Sequence, residues 1–133
     1  RMRDGIHLAT DVYRPSRDGD PVDGRFPTLL VRTPYDKTVA QQITYQHPSW
    51  YARRGYVVVV QDCRGRGKSD GAWDPFRYDV EDGFDTQEWV GKQPWCNGEL
   101  GTAGGSSLRL TPPLTLSAAE ADEAVRLLAE AVA

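Results

Sequence analysis

The sequence predicts an α/β fold, a largely parallel sheet flanked by helices, and three observations carry that reading. Phe26–Thr33 and Tyr56–Asp62 read as mainly apolar runs rather than alternating ones, the pattern of strands covered on both faces. Helical patterns at Pro48–Arg54 and Asp79–Lys92 alternate with them, and a short strand, Leu100–Ala103, follows, which is the alternation of a layered α/β sheet. The chain of 133 residues, 39% apolar and 26% charged, is long enough to bury a genuine core as one globular body.

Each element has its own signal. Ile6, Leu8 and Val12 alternate with His7, Ala9, Asp11 and Tyr13, the period-two pattern of a strand with one face buried, and this outer strand is expected to be antiparallel. Gly55 closes the first helix. The second carries Asp79, Glu81 and Asp82 in its first turn, where negative charge favours the positive end of the helix dipole. All thirteen glycines and all thirteen aromatic residues lie at or before Gly105, whereas the last 28 residues are rich in alanine. After Pro112 and Pro113, Ser117 and Glu120 form a capping box, and Ala121, Val125, Leu128 and Val132 make an apolar stripe. The expected organisation is therefore residues 1–107 as the α/β part and 108–133 as a Pro-Pro linker and amphipathic helix.

Several function classes fall away. Nineteen acidic residues against sixteen basic leave a net charge of −3, with no basic face for nucleic acid. The longest purely aliphatic run, Val57–Val60, is far short of a membrane span, so no membrane partner is expected and a cytoplasmic location is. Cys63 and Cys96 read as free thiols. No cofactor or metal is expected. Gly67-Lys68-Ser69 follows a strand as a phosphate loop does, but that pattern requires glycine where Asp62 stands. A calcium loop starting at Asp79 would need glutamate where Val90 stands. Arg64, Arg66 and Lys68 are expected to pair locally with Asp62 and Asp70. Gly65 and Gly67, in the same loop, are expected to include at least one positive φ.

One short motif can carry chemistry. Gly104-Gly105-Ser106 follows the last strand and, if a helix begins after it, presents a serine on the sharp strand-to-helix turn known as a nucleophile elbow. Glycine two residues before the serine suits a turn with no room for a Cβ. His7 and His47, the two histidines, read as surface or half-buried side chains.

Residues 2–108 resemble the α/β hydrolases related to bacterial cocaine esterase and X-Pro dipeptidyl peptidase. The matching stretches are Met2–Pro15 (MRDGIHLATDVYRP), Val31–Lys37 (VRTPYDK), Gln61–Gly71 (QDCRGRGKSDG), Gln93–Gly98 (QPWCNG) and Gly101–Ser106 (GTAGGS), in that order. The resemblance implies the amino-terminal part of an α/β-hydrolase sheet. It also implies a serine hydrolase that cleaves small ester or peptide substrates through an acyl-serine intermediate. Ser106 would be the nucleophile, Tyr35 would donate its hydroxyl to the oxyanion hole, and the backbone N–H of Ser107 would be the second donor.

The chain departs from the family pattern in two ways. Ser107 stands where an aromatic residue is usual and Arg109 where glycine is usual; and beyond Ser106 there is no histidine, although the acid and histidine of the triad follow the serine in this fold. Without a base a serine hydroxyl is a poor nucleophile, so the chain as it stands is expected to be an incomplete, inactive fragment. The alternative is a non-catalytic truncated or fused remnant acting as an interaction partner. Stopping near Ser106 would leave the strand Leu100–Ala103 with an unpaired edge, through which self-association is expected. The tail, from Leu108–Ser117 (LRLTPPLTLS) onward, resembles the carboxyl end of pyridoxal-phosphate aminotransferases of the acetylornithine and ornithine type, which implies a carboxylate-holding role for Arg109. The lysine and cofactor domain of such an enzyme are absent from this sequence.

Overall fold

The computed structural model describes residues 1–38, 46–104 and 107–111. In chain order these form β1 (Thr10–Tyr13), β2 (Ser16–Arg17), β3 (Asp20–Pro21), β4 (Phe26–Thr33), α1 (Pro48–Ala52), β5 (Val57–Asp62), α2 (Asp79–Gly91), β6 (Cys96–Gly104) and β7 (Ser107–Thr111). The main sheet has the order β1-β5-β4-β6-β7, and β2 with β3 makes a small separate hairpin. β4 lies parallel to both β5 and β6, while β1 and β7 close the two sides antiparallel.

The apolar runs are buried on both faces, as their sequence predicts. Every residue of β5 is buried. Leu30, Val57 and Val59 pack with Val90 of α2 and with Trp95 and Cys96 on one face. Leu29, Val58 and Val60 pack on the other, with Tyr51 of α1 and Tyr56 against them. Opposite coverage follows from handedness: the chain passes from β4 to β5 in one direction and from β5 back across β4 to β6 in the other, so right-handed crossovers put the two helices on opposite faces.

The outer strand is antiparallel, as expected, but begins at Thr10 rather than Ile6. The preceding residues hold the loop after β5 instead, with Asp70 N–H donating to His7 O at 2.9 Å. Its faces also differ from the expected alternation. Tyr13 stands opposite Val58 and packs against that cluster, whereas Val12, opposite Val59 at the sheet margin, is 38% exposed.

At the other margin the expectation is corrected. β6 is longer than anticipated and its edge is paired by β7, from Leu100↔Thr111 to Gly104↔Ser107. The signal was present in the sequence: Leu108 and Leu110 alternate with Ser107, Arg109 and Thr111, a strand period. β7 therefore runs across the expected boundary between residues 107 and 108. The tail helix expected after Ser117 lies outside the described residues.

Arg64 also departs from the local pairing read from sequence. Its guanidinium reaches Asp82 of α2 by two bonds, Nη2–Oδ1 at 2.6 Å and Nε–Oδ2 at 3.0 Å, and Asp4 by Nη1–Oδ2 at 2.6 Å. Tertiary folding brings those acids closer than Asp62 or Asp70, and Asp82 is thereby an ion-pair partner as well as a first-turn acid. Both loop glycines take positive φ, 66° at Gly65 and 52° at Gly67. Both cysteines are free and buried, and burial pushes the Cys63 thiol above its usual range.

Candidate active site

The loop that leaves β4 is fastened at every residue around Tyr35. Thr33 Oγ1, at the buried end of the strand, accepts from the Tyr35 N–H at 3.1 Å. The Pro34 carbonyl accepts from Arg66 Nε at 2.7 Å. Asp36 holds a left-handed φ of 73°, an unfavourable backbone state for a residue with a Cβ. Its carboxylate accepts from the Thr38 hydroxyl at 2.7 Å and N–H at 2.9 Å, and these bonds hold its pKa below the usual carboxylate range. The Lys37 N–H donates to Asp62 Oδ1 at 2.6 Å, and Lys37 Nζ pairs with Asp11 at 2.7 Å. That hydrogen bond keeps the buried Lys37 ammonium charged, raising its pKa against the cost of burial. Tyr35 itself is 74% exposed, so a hydrogen-bonded loop presents its ring to solvent.

Two strands bring the start of the Tyr35 loop and Gly104 to one end of the sheet. β4 and β6 are parallel neighbours in the register Leu29↔Gly101 to Val31↔Ala103. Tyr35 follows the carboxyl end of β4, and Gly104-Gly105-Ser106 begins at the carboxyl end of β6. In a sheet of parallel order β5-β4-β6, connections diverge from between β4 and β6, the switch point where open α/β sheets form ligand crevices. Ser106 lies outside the described residues. Ser107 opens the antiparallel strand β7, opposite Gly104, and not a helix. The strand-to-helix condition for a nucleophile elbow is thus unmet in this structure, since the leucine alternation of residues 107–111 favours a strand.

Neither histidine is bonded to the Tyr35 loop among the described residues. His7 is exposed, with Nδ1 3.8 Å from Asp70 Oδ2. His47 Nδ1 caps α1, accepting from the Ser49 N–H at 3.2 Å, and its ring meets Tyr13 edge-on. A groove between α2 and the sheet is lined by Leu30, Arg32, Asp79, Phe84, Gln87 and Thr102 among others, and includes no residue of the Tyr35 loop. Among the described residues, no group of three or more His, Cys, Asp or Glu side chains is placed to hold a metal ion.

Sequence reasoning missed the residues that hold the loop, Asp62 and Arg66, by reading them as charges paired only with one another and their near neighbours. The available signal was Asp62 close behind four consecutive valines, where a buried carboxylate requires donors.

A sequence profile of the family described as X-Pro dipeptidyl-peptidase (S15 family) matches residues 4–133. The chain belongs to the S15 family. Cocaine esterase from Rhodococcus sp. (strain MB1 Bresler) is 46% identical to the S15 chain over 112 residues, which cover 83% of the chain and 19% of that protein. A crystal structure of a CocE/NonD family hydrolase from Staphylococcus aureus superposes with a TM-score of 0.66 at 29% identity, covering 77% of the S15 chain and 21% of its own. The crystal structure of an aminopeptidase from a marine sediment archaeon, Thaumarchaeota archaeon, gives 0.58 at 25% identity, over 79% and 20% respectively. The S15 chain thus spans about a fifth of the length of these relatives. Among the described residues, no helix is long and apolar enough to cross a membrane.

Proposed function

We propose that this S15 chain supplies the nucleophile and oxyanion side of a serine hydrolase that cleaves small ester or peptide substrates. The observation that supports the proposal is the parallel β4–β6 pair, which brings the start of the Tyr35 loop and Gly104, two residues before Ser106, to the same sheet end. Ser106 Oγ adds to the substrate carbonyl, and the tetrahedral oxyanion accepts hydrogen bonds from the Tyr35 hydroxyl and the Ser107 N–H. Collapse expels the alcohol or amine and leaves an acyl-serine, which water then hydrolyses. A preorganised donor of this kind contributes about 3–4 kcal/mol to lowering the barrier.

The proton of Ser106 needs a base, and the sequence has no histidine after residue 106. We therefore take the 133-residue chain as catalytically incomplete by itself. Strand β7, in place of the elbow helix, favours the second reading, a non-catalytic chain acting through its partners. Self-association through a sheet edge would then use β7, because β6 is already paired. The resemblance of the tail to an aminotransferase end carries no part of either reading.

The assay is hydrolysis of an activated aryl ester, with fluorophosphonate labelling as a second readout. The chain alone is expected to be no faster than its Ser106→Ala variant. A chimera in which the chain replaces the aligned segment of the Rhodococcus cocaine esterase is expected to hydrolyse ester in a manner that Ser106→Ala abolishes. Ser106-dependent turnover by the chain alone would refute its incompleteness, and a chimera indifferent to Ser106→Ala would refute the nucleophile assignment.

A further inference from the structure

We propose that the buried carboxylate of Asp62 is a positioning residue that holds Tyr35 at the oxyanion side of the site, an inference that rests on the hydrolase reading above. Asp62 is fully buried at the carboxyl end of β5, and its two oxygens divide between two loops. Oδ1 accepts from the Lys37 N–H at 2.6 Å, two residues beyond Tyr35, and Oδ2 accepts from the Lys68 N–H at 3.0 Å. One side chain therefore joins the loop after β4 to the loop after β5.

The loop after β5 is shaped to receive that carboxylate. Gly67 lies against it so closely that a Cβ there would collide with Asp62 Oδ2. Backbone bonds close the loop, Arg66 N–H to Cys63 O at 3.0 Å and Ser69 N–H to Arg66 O at 2.9 Å, and the Ser69 hydroxyl donates to Asp62 O at 2.7 Å. From this frame Arg66 reaches across to the Pro34 carbonyl at 2.7 Å. The Tyr35 loop is thus bound on both sides of the tyrosine, at Pro34 and at Lys37, by groups anchored on β5.

The chemistry explains why a carboxylate suits this position. Two N–H donors from different loops converge on one side chain, and a carboxylate has an acceptor oxygen for each, whereas an amide has one oxygen and one NH₂. Asparagine must therefore turn a donor towards one of the two N–H groups. A buried donor facing a donor is destabilising, and the relief is for one loop to move away. Since Tyr35 is otherwise exposed to solvent, its hydroxyl keeps its place only as well as its backbone is held.

Two measurements test the proposal. The first is amide hydrogen exchange of the 133-residue chain, compared between wild type and Asp62→Asn. The Lys37 amide is expected to lose protection at least tenfold while amides of β4 and β5 at Leu30 and Val59 stay within twofold; equal protection of Lys37 in both proteins overturns the proposal. The second uses the chimera described above. Asp62→Asn is expected to lower kcat at least tenfold with KM within twofold, and to lower it less than twofold when Tyr35→Phe is already present. Equal losses in both backgrounds overturn the proposal. Arg66→Met, an exposed change that spares the buried carboxylate, serves as the second variant if Asp62→Asn does not fold. It is expected to show the same dependence on Tyr35 with a smaller loss, and a loss independent of Tyr35 overturns the proposal. If Tyr35→Phe leaves kcat unchanged, the oxyanion role of Tyr35 fails, and the exchange measurement alone decides the role of Asp62.

Discussion

Replacing Arg64 with methionine removes the charge that ties three parts of the chain together. Its guanidinium is 11% exposed and forks onto Asp82, whose side chain is 2% exposed, at 2.6 and 3.0 Å. It also reaches Asp4, which is 44% exposed, and lies 4.6 Å from the centre of the Tyr78 ring. These bonds, to Asp82 first and Asp4 second, raise the guanidinium pKa beyond its already high value, so it remains charged throughout the accessible range. Breaking a buried pair from one side leaves the other charge uncompensated, at a cost of about 3–5 kcal/mol. The more exposed Asp4 contact adds little, because solvent screens it. Against this, Asp82 keeps the favourable field of the α2 amino terminus, worth about 0.5–1 kcal/mol. The expected net loss for Arg64→Met is about 3 kcal/mol, roughly two powers of ten in the folded-to-unfolded ratio. Urea unfolding followed by fluorescence of the four tryptophans measures it. The double variant Arg64→Met with Asp82→Leu, which leaves no buried charge, is expected to recover at least about 2 kcal/mol relative to the sum of the single changes. A single-variant loss below about 1 kcal/mol, or strict additivity in the double variant, would refute the claim that Asp82 depends on Arg64.

Two further predictions concern the loop after β5 and the acidic range. Alanine at Gly67 must adopt a φ of 52° and displace the Asp62 carboxylate, and alanine at Gly65 meets the backbone of Trp73, whereas alanine at Gly55, with φ 88°, meets nothing within 4 Å. The first two changes should each cost about 2 kcal/mol or more and Gly55→Ala about 1 kcal/mol, as read from melting curves; equal shifts at all three would contradict the packing argument. Asp4, held by Arg64, Asp36, held by Thr38, and Asp85, held by Arg3, have folded pKa values below the ordinary range. Because their folded pKa values are depressed, the stability they contribute is fully present above about pH 4 and is lost as pH falls through the folded values. Melting temperature should therefore drop on acidification below that point, and Asp85→Asn should flatten the drop; a melting temperature constant from about pH 4.5 to 2.5 would contradict it.

Much of the sheet was legible in the residues because local pattern and tertiary environment agree there. The valines of β5 can be buried on both faces only inside a covered parallel sheet, and that is where they lie. The acids of the second helix and the glycine after the first marked those elements to within a few residues. The end of β6 is different. Gly104-Gly105-Ser106 drew attention to a turn into a helix, while Leu108 and Leu110 carried a quieter alternation that outweighed it in forming β7. The Tyr35 loop was marked by a motif, but nothing in that motif says what fastens it.

The sequence alone determined the class of fold, the parallel strands and the residues at their carboxyl ends, because hydrophobic period and turn chemistry act between near neighbours in the chain. Only the tertiary structure decided which charges meet. Arg64 lies 18 residues from Asp82 and 60 from Asp4, and Asp62 lies 25 from Lys37, so no local pattern links them. Each of these pairings depends on which strands become neighbours. A buried charge takes whichever partner the sheet order brings within about 3 Å, since leaving it without one costs more than any local preference can offset.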